Sequence, residues 1–275
     1  MTQRTRRLQP ARQRRVTLPF AALGALFVAS IVVPLAVLSI DALSAPGELG
    51  RVAADSAAQS AVLLSLEAAA LTALAAGLLG IPLAWLLARG EFPGKGLLQA
   101  VVDVPLTVPH VVAGMAVLFV YGRRGLLGVP LHHLFGLKFW GSLPGIVVAM
   151  LFVSAPYTVS AARLAFEGID PRLEQAARSL GAGPWGVLWR VVLPLSWRGL
   201  LTAVTLSYAR AVSEFGAVII IAYYPMTAPV KIYNLFLRFG LPESLALSFI
   251  VLVISLLIFL LLRGLAGVRR FGAGK

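Results

Sequence analysis

Apolar runs of about 20 residues recur along this chain, parted by charged or Gly/Pro-rich breaks, and that recurrence constrains its fold more than any other feature. A helix of about 20 residues spans the roughly 30 Å of hydrocarbon in a bilayer. The runs give six candidate spans, near 18–40, 59–88, 98–121, 143–166, 199–222 and 244–263. Backbone groups in lipid must be bonded within the structure, so only helices or a closed barrel can cross. Barrel strands carry an alternating pattern over about ten residues, and these runs do not alternate. The expected fold is an all-α integral membrane protein of about six transmembrane helices. Composition agrees: 59% of residues are hydrophobic, 13% are charged and mean hydropathy is +0.89, whereas about a quarter of an average soluble domain is charged.

The chain divides into a basic segment 1–17, a first helix 18–40 and a membrane domain 58–265 that contains a hydrophilic stretch, 167–198. The start resembles a signal peptide, but an apolar run from 18 to 40 exceeds the 7 to 15 residue core of one, and a retained helix is expected. No internal repeat or Ser/Gly linker indicates a second folded unit.

Net charge is +13. Its distribution argues against nucleic acid as partner: Arg4, Arg6, Arg7, Arg12, Arg14 and Arg15 crowd the stretch before the first span, as membrane proteins collect positive charge on cytoplasmic flanks. With the N-terminus inside, most of the 24 Lys and Arg fall in 1–17, 89–97, 163–198 and 263–275, all cytoplasmic. Outside lie Arg51, Arg123, Arg124, Lys138, Lys231 and Arg238, and Arg210 lies within a span. Both termini are therefore expected in the cytoplasm. The Gly-rich but apolar segment 122–142, too broken for a good helix, is expected at the outer interface.

The stretch 170–194 carries the most mechanism. Asp170 is placed to cap a helix that starts at Pro171 and stops at Gly181. Gly183-Pro184 turns the chain into a second short helix, and Pro194 redirects it into the fifth span. Small Ala176 and Ala177 let another protein approach closely. This stretch resembles the EAA signature of ABC importer permeases: Glu-Ala-Ala, three residues, Gly, nine residues, a β-branched aliphatic, one residue, Leu-Pro. Ala176, Ala177, Gly181, Val191, Leu193 and Pro194 fall on the pattern. Gln175 occupies the Glu position, with Glu174 one residue earlier, so the acidic contact is shifted or lost.

The resemblance implies a coupling helix, Glu174 through Gly181, that fits a groove on an ATPase subunit. It extends over about 58–265. Val104-Pro-Leu-Thr-Val-Pro109-His-Val-Val-Ala-Gly114, Gly122-Arg-Arg-Gly-Leu-Leu-Gly128, Ser213-Glu214-Phe-Gly-Ala and Ala222-Tyr-Tyr-Pro-Met-Thr-Ala-Pro229 look like the molybdate/tungstate branch, with the sulfate branch close by. The resemblance also implies a homodimer in the cell inner membrane, two cytoplasmic ATP-binding subunits and an extracytoplasmic oxyanion-binding protein. ATP and Mg²⁺ would be held by the partner ATPase, with no cofactor in this chain.

Two phosphate-binding lookalikes fail on context. Gly181-Ala-Gly183-Pro-Trp-Gly186 has the spacing of a dinucleotide fingerprint but no preceding strand, and Gly90-Glu-Phe-Pro-Gly94-Lys95-Gly96 is one residue short of a P-loop. His110, His132 and His133 are not expected to make a metal site, since the adjacent pair points apart and no Cys, Asp or Glu partner sits nearby. No acid/base or nucleophile set shares one side of the membrane, so no enzyme is expected. A secondary transporter would show inverted repeats with paired broken helices.

Ionisable groups within spans are functional candidates. Arg210 and Glu214, four apart on the fifth span, can form a structural ion pair or line an anion route. Glu67 and Asp103 are lone carboxylates, expected to be structural by protonation or by bonding to backbone, and Arg123 and Arg124 can steer anions or reach for headgroups. Pro105 and Pro109 are expected to break the third span, freeing backbone N–H groups toward a path or a gate.

Overall fold

Three helices rich in small residues form the centre of the bundle. The computed structural model describes residues 9–265, and those residues are helical apart from short connections, with no strand among them. The chain opens with α1 (Gln9–Ser44) and α2 (Pro46–Ala54), then α3 (Ser56–Arg89), α4 (Lys95–Thr107) and α5 (His110–Tyr121). Next come α6 (Gly128–Phe135), α7 (Leu143–Glu167), α8 (Pro171–Ser179) and α9 (Pro184–Val187). A π-helical turn, Leu188–Val192, leads into α10 (Leu193–Val212), α11 (Gly216–Ile221), α12 (Ala228–Phe239) and α13 (Leu241–Leu265). Residues 1–8 of the basic N-terminal segment, and the basic tail from 266 onward, lie outside the described residues.

Among the described residues, five helices are long and apolar enough to cross a membrane: Pro19–Ser44, Ser56–Arg89, Leu143–Glu167, Pro184–Val212 and Leu241–Leu265. Counted as one bent span, α4 and α5 bring the total to 6. At the centre, α3, α7 and α10 pack on one another. Lipid offers no hydrophobic drive for helices to associate, so close backbone approach and van der Waals contact must hold them. A methyl group on Gly80 would come within 3.3 Å of Thr158 and Val159, and one on Gly199 within 2.4 Å of the Ala165 Cβ. By contrast α1 is exposed along its apolar length and touches α13 and α2.

The third span is not one helix: α4 and α5 meet at 114°. Pro109 causes the break. Having no N–H, it cannot continue the ladder, and it holds Val108 extended at φ −81 and ψ 129. Pro105 sits inside α4 without ending it.

The fifth span also departs from the expected 199–222. It begins at Pro184 and stops at Val212, followed by a break and the short α11. The second short helix is therefore the first part of this span, and Pro194 does not redirect the chain. The missing Pro194 donor is absorbed by the π turn, whose wider bonding runs from the Leu193 N–H to the Leu188 carbonyl. At the other end the Ser213 hydroxyl donates to the Arg210 carbonyl, competing with helical bonding. Segment 122–142 likewise contains a real helix, the 8-residue α6, which stops at Gly136 with φ +69.

Candidate functional site

The knob that carries the Ala-Ala signature is built by local rules. The Asp170 carboxylate accepts the Arg172 N–H at 2.9 Å, and Pro171 fits the first helical position, where no backbone donor is needed. Termination follows at Gly181, whose φ of +88 disfavours any side chain. There the Gly181 and Ala182 N–H groups close the helix onto the Arg178 and Ala177 carbonyls, at 2.9 and 3.0 Å.

Gln175, Ala176 and Gly181 are exposed and Ala177 is half-buried. Around them stand Leu180 at 89% exposure, Trp185 at 73% and Trp189 at 65%. Leu193 is half-buried and Pro194 exposed, at the first turn of α10. Glu174 differs from its neighbours, being only 6% exposed. Its Oε1 accepts from the Arg89 Nε at 2.7 Å, so the carboxylate expected on the docking surface faces inward.

Two helix breaks meet at a second site. From the end of α10 the Arg210 Nη2 donates to the Glu214 Oε2 at 2.6 Å. Glu214 lies beyond α10, in the break, so the two residues do not share a helix face as their spacing suggested. Instead the other Glu214 oxygen accepts the Ala217 N–H at 2.8 Å, which caps α11 and leaves the carboxylate 1% exposed. Opposite stands His110, the first residue of α5, with its ring nitrogens 3.0 and 3.1 Å from the same Arg210 Nη2. The His110 Nδ1 is 3.5 Å from the Glu214 Oε2.

The two breaks are pressed together along their backbones. A methyl on Gly216 would lie 2.7 Å from the His110 Cβ, and one on Gly114 2.8 Å from the Ala217 Cα and carbonyl oxygen. Arg210, Glu214 and, through its neighbour His110, Pro109 thus converge. Pro105 does not join them; it lines an open apolar cleft of about 350 Å³ with Tyr121, Phe152 and Pro156.

In the sequence His110 is singled out only as one residue of the 104–114 stretch and as a rejected metal ligand, with no role of its own, and Arg89 does not stand out at all. His110 had one legible signal, its place directly after the proline that breaks the third span. Arg89 had none, since its partners lie at 166, 169 and 174. Glu67 is exposed and Asp103 half-buried, each without an ion-pair partner among the described residues. Arg123 and Arg124 are both exposed.

Known proteins resemble the chain over most of its length. The family described as "Binding-protein-dependent transport system inner membrane component" matches residues 80–268. The molybdate/tungstate transport system permease protein WtpB of Thermococcus kodakarensis is 41% identical over 248 residues, covering 90% of this chain and 95% of the relative. The molybdenum transport system permease protein ModB of Escherichia coli is 41% identical over 220 residues, covering 78% of this chain and 96% of the relative. Among solved structures, a bacterial alginate ABC transporter in complex with its alginate pentasaccharide-bound periplasmic protein superimposes with a TM-score of 0.74 at 18% identity, covering 98% of this chain and 100% of that one. At that identity the likeness concerns the fold, and the fold is that of ABC importer permeases. With the family matched across well over half of its length, this multi-pass chain belongs to the inner-membrane components of binding-protein-dependent transport systems.

Proposed function

We propose that the chain is the membrane-spanning permease subunit of an ATP-driven importer for molybdate or tungstate. The observation that carries this reading is similarity over nine-tenths of the chain to permeases named for those anions. Two copies form a homodimer around a central path, and each docks one cytoplasmic ATPase that holds ATP and Mg²⁺. An extracytoplasmic binding protein delivers the oxyanion. Both termini are cytoplasmic, a placement supported by the basic residues that flank the spans on one side.

Segment 167–198 is the coupling element, with Gln175, Ala176, Ala177, Gly181, Leu193 and Pro194 in or beside the contact. Supporting this are the small alanines, Ala176 exposed and Ala177 half-buried, and the large apolar side chains of Leu180, Trp185 and Trp189 projecting from a polar knob. Aromatic anchors amid tolerant contacts are how partner surfaces concentrate binding energy. Glu174 serves the knob from within. ATP binding draws the ATPase pair together, the knobs follow, and the path opens outward before hydrolysis resets it. Pro109, Arg210 and Glu214, with His110, are the path-lining candidates at the broken helices, and Pro105 flanks the path from α4. A transport path needs weak sites that release, and an arginine already neutralised by a carboxylate meets that need.

Reconstitution in vesicles with the ATPase and binding protein tests the reading. Tungstate and molybdate should stimulate ATP hydrolysis and be taken up, with sulfate and phosphate inert. Stimulation by sulfate alone would transfer the assignment to a sulfate/thiosulfate importer. Uptake driven by an ion gradient without the ATPase would make the chain a secondary transporter.

A further inference from the structure

We infer that Arg89 is the positioning residue that carries motion of the knob into the spans, acting through Glu174. The inference rests on the reading of α8 as the ATPase-docking element. α8 has only 9 residues, too few to be stable alone, so its attachments decide what it can move. It packs on α9 and the π turn, and thereby on the start of the α10 span. Among the hydrogen bonds and ion pairs of the described residues, Glu174–Arg89 is the one that joins α8 to α3.

The far side of the same guanidinium is equally committed. Arg89 ends α3, and its Nη2 donates to the Phe166 carbonyl at 2.8 Å and the Ile169 carbonyl at 3.2 Å, at the close of α7. One rigid, planar fork thus binds α8, the last turn of α3 and the last turn of α7. The side chains of the pair are 18% and 9% exposed, so water does not loosen it. Buried, charge-assisted bonds of this kind are short, strong and directional. A displacement of α8 reaches α10 by packing and reaches α3 and α7 through Arg89, and these are the three helices at the centre of the bundle.

The test uses the full complex in vesicles, comparing tungstate taken up per ATP hydrolysed with the amount of ATPase retained on purification. Arg89→Ala should keep the ATPase and its basal hydrolysis while uptake per ATP falls about tenfold, within the usual range of coupling between sites, and Glu174→Gln, which loses the charge but can still accept the hydrogen bond, should fall less. Arg89→Lys, which keeps the charge without the fork, should fall between the unmodified chain and Arg89→Ala. The swapped pair R89E/E174R should exceed either of its single-substitution parents severalfold, because the ion pair is restored even though the α7 carbonyls lose their donor. Glu174→Gln is nearly isosteric and keeps the measurement available if Arg89→Ala does not fold.

Wild-type uptake per ATP in both single variants would overturn the link. So would a swapped pair no better than its parents, or loss of the ATPase from Arg89→Ala with the spans intact, since Arg89 would then shape the docking surface. Failure of the docking reading looks different: the unmodified chain would hold no ATPase.

Discussion

Two arginine–glutamate hydrogen bonds among the described residues bury their carboxylate, Arg89–Glu174 and Arg210–Glu214, and they are held in opposite ways. Arg89–Glu174 is a finished joint: the arginine meets a carboxylate and two helix-terminal carbonyls, and it ends the longest of the central helices. Arg210–Glu214 is a shared one: a single nitrogen faces both the carboxylate and the His110 ring, between two broken helices. The first geometry suits an element that must move as one piece with its neighbours. The second can trade partners without unfolding anything, since His110 is half open and either ring nitrogen can face the guanidinium. Buried charge in a membrane protein can therefore serve rigidity in one place and exchange in another, and the number of committed partners separates the two.

The comparison breaks most readily at the knob. Gly181→Pro should abolish uptake while the spans still insert, because proline is locked near φ −65° and cannot take the +88 observed. Transport assays paired with a membrane-insertion assay check this. Glu214→Ala comes next: it leaves a guanidinium that is largely buried without its carboxylate, a change that costs about 3–5 kcal/mol in comparable buried pairs. Thermal unfolding in detergent should show that loss, with Glu214→Gln milder because it can still accept a hydrogen bond.

A smaller effect is expected at the seam between the breaks. Gly114→Ala should destabilise by about 1–3 kcal/mol, since its methyl would meet the Ala217 backbone, which cannot swing aside as a side chain tip does. Smallest in stability is Trp185→Ala. Exposed as it is, it should change unfolding by less than about 0.5 kcal/mol. Its binding to the ATPase should nonetheless weaken by about 1–2 kcal/mol, because exposed aromatics are frequent anchors at interfaces. Titration of the purified ATPase onto vesicles measures that difference.

The contrast also explains which parts were legible in the sequence. Helices 143–166 and 244–263 follow from hydropathy alone and agree with α7 and α13 within three residues at each end. The α8 start and stop were legible because Asp170, Pro171 and Gly181 act on their own backbone. Pro109 announced a break for the same reason. The break after Val212 was not legible, because it depends on the Ser213 and Glu214 side chains choosing backbone partners over a continued helix. Likewise the run from α9 into α10 hid behind Pro194, which ordinarily ends or starts a helix and here is accommodated by a π turn. The inward turn of Glu174 could not be read at all, since it needs an arginine 85 residues away.

One measurement reaches the central claim directly. The sequence has no cysteine, so a Leu180→Cys variant offers a single thiol at the tip of the knob. Treated with a short bifunctional crosslinker in the assembled complex, it should join to the ATPase subunit and stay unmodified by an impermeant thiol reagent added outside the cell. Labelling from outside, or no adduct with the ATPase while transport continues, would contradict the account.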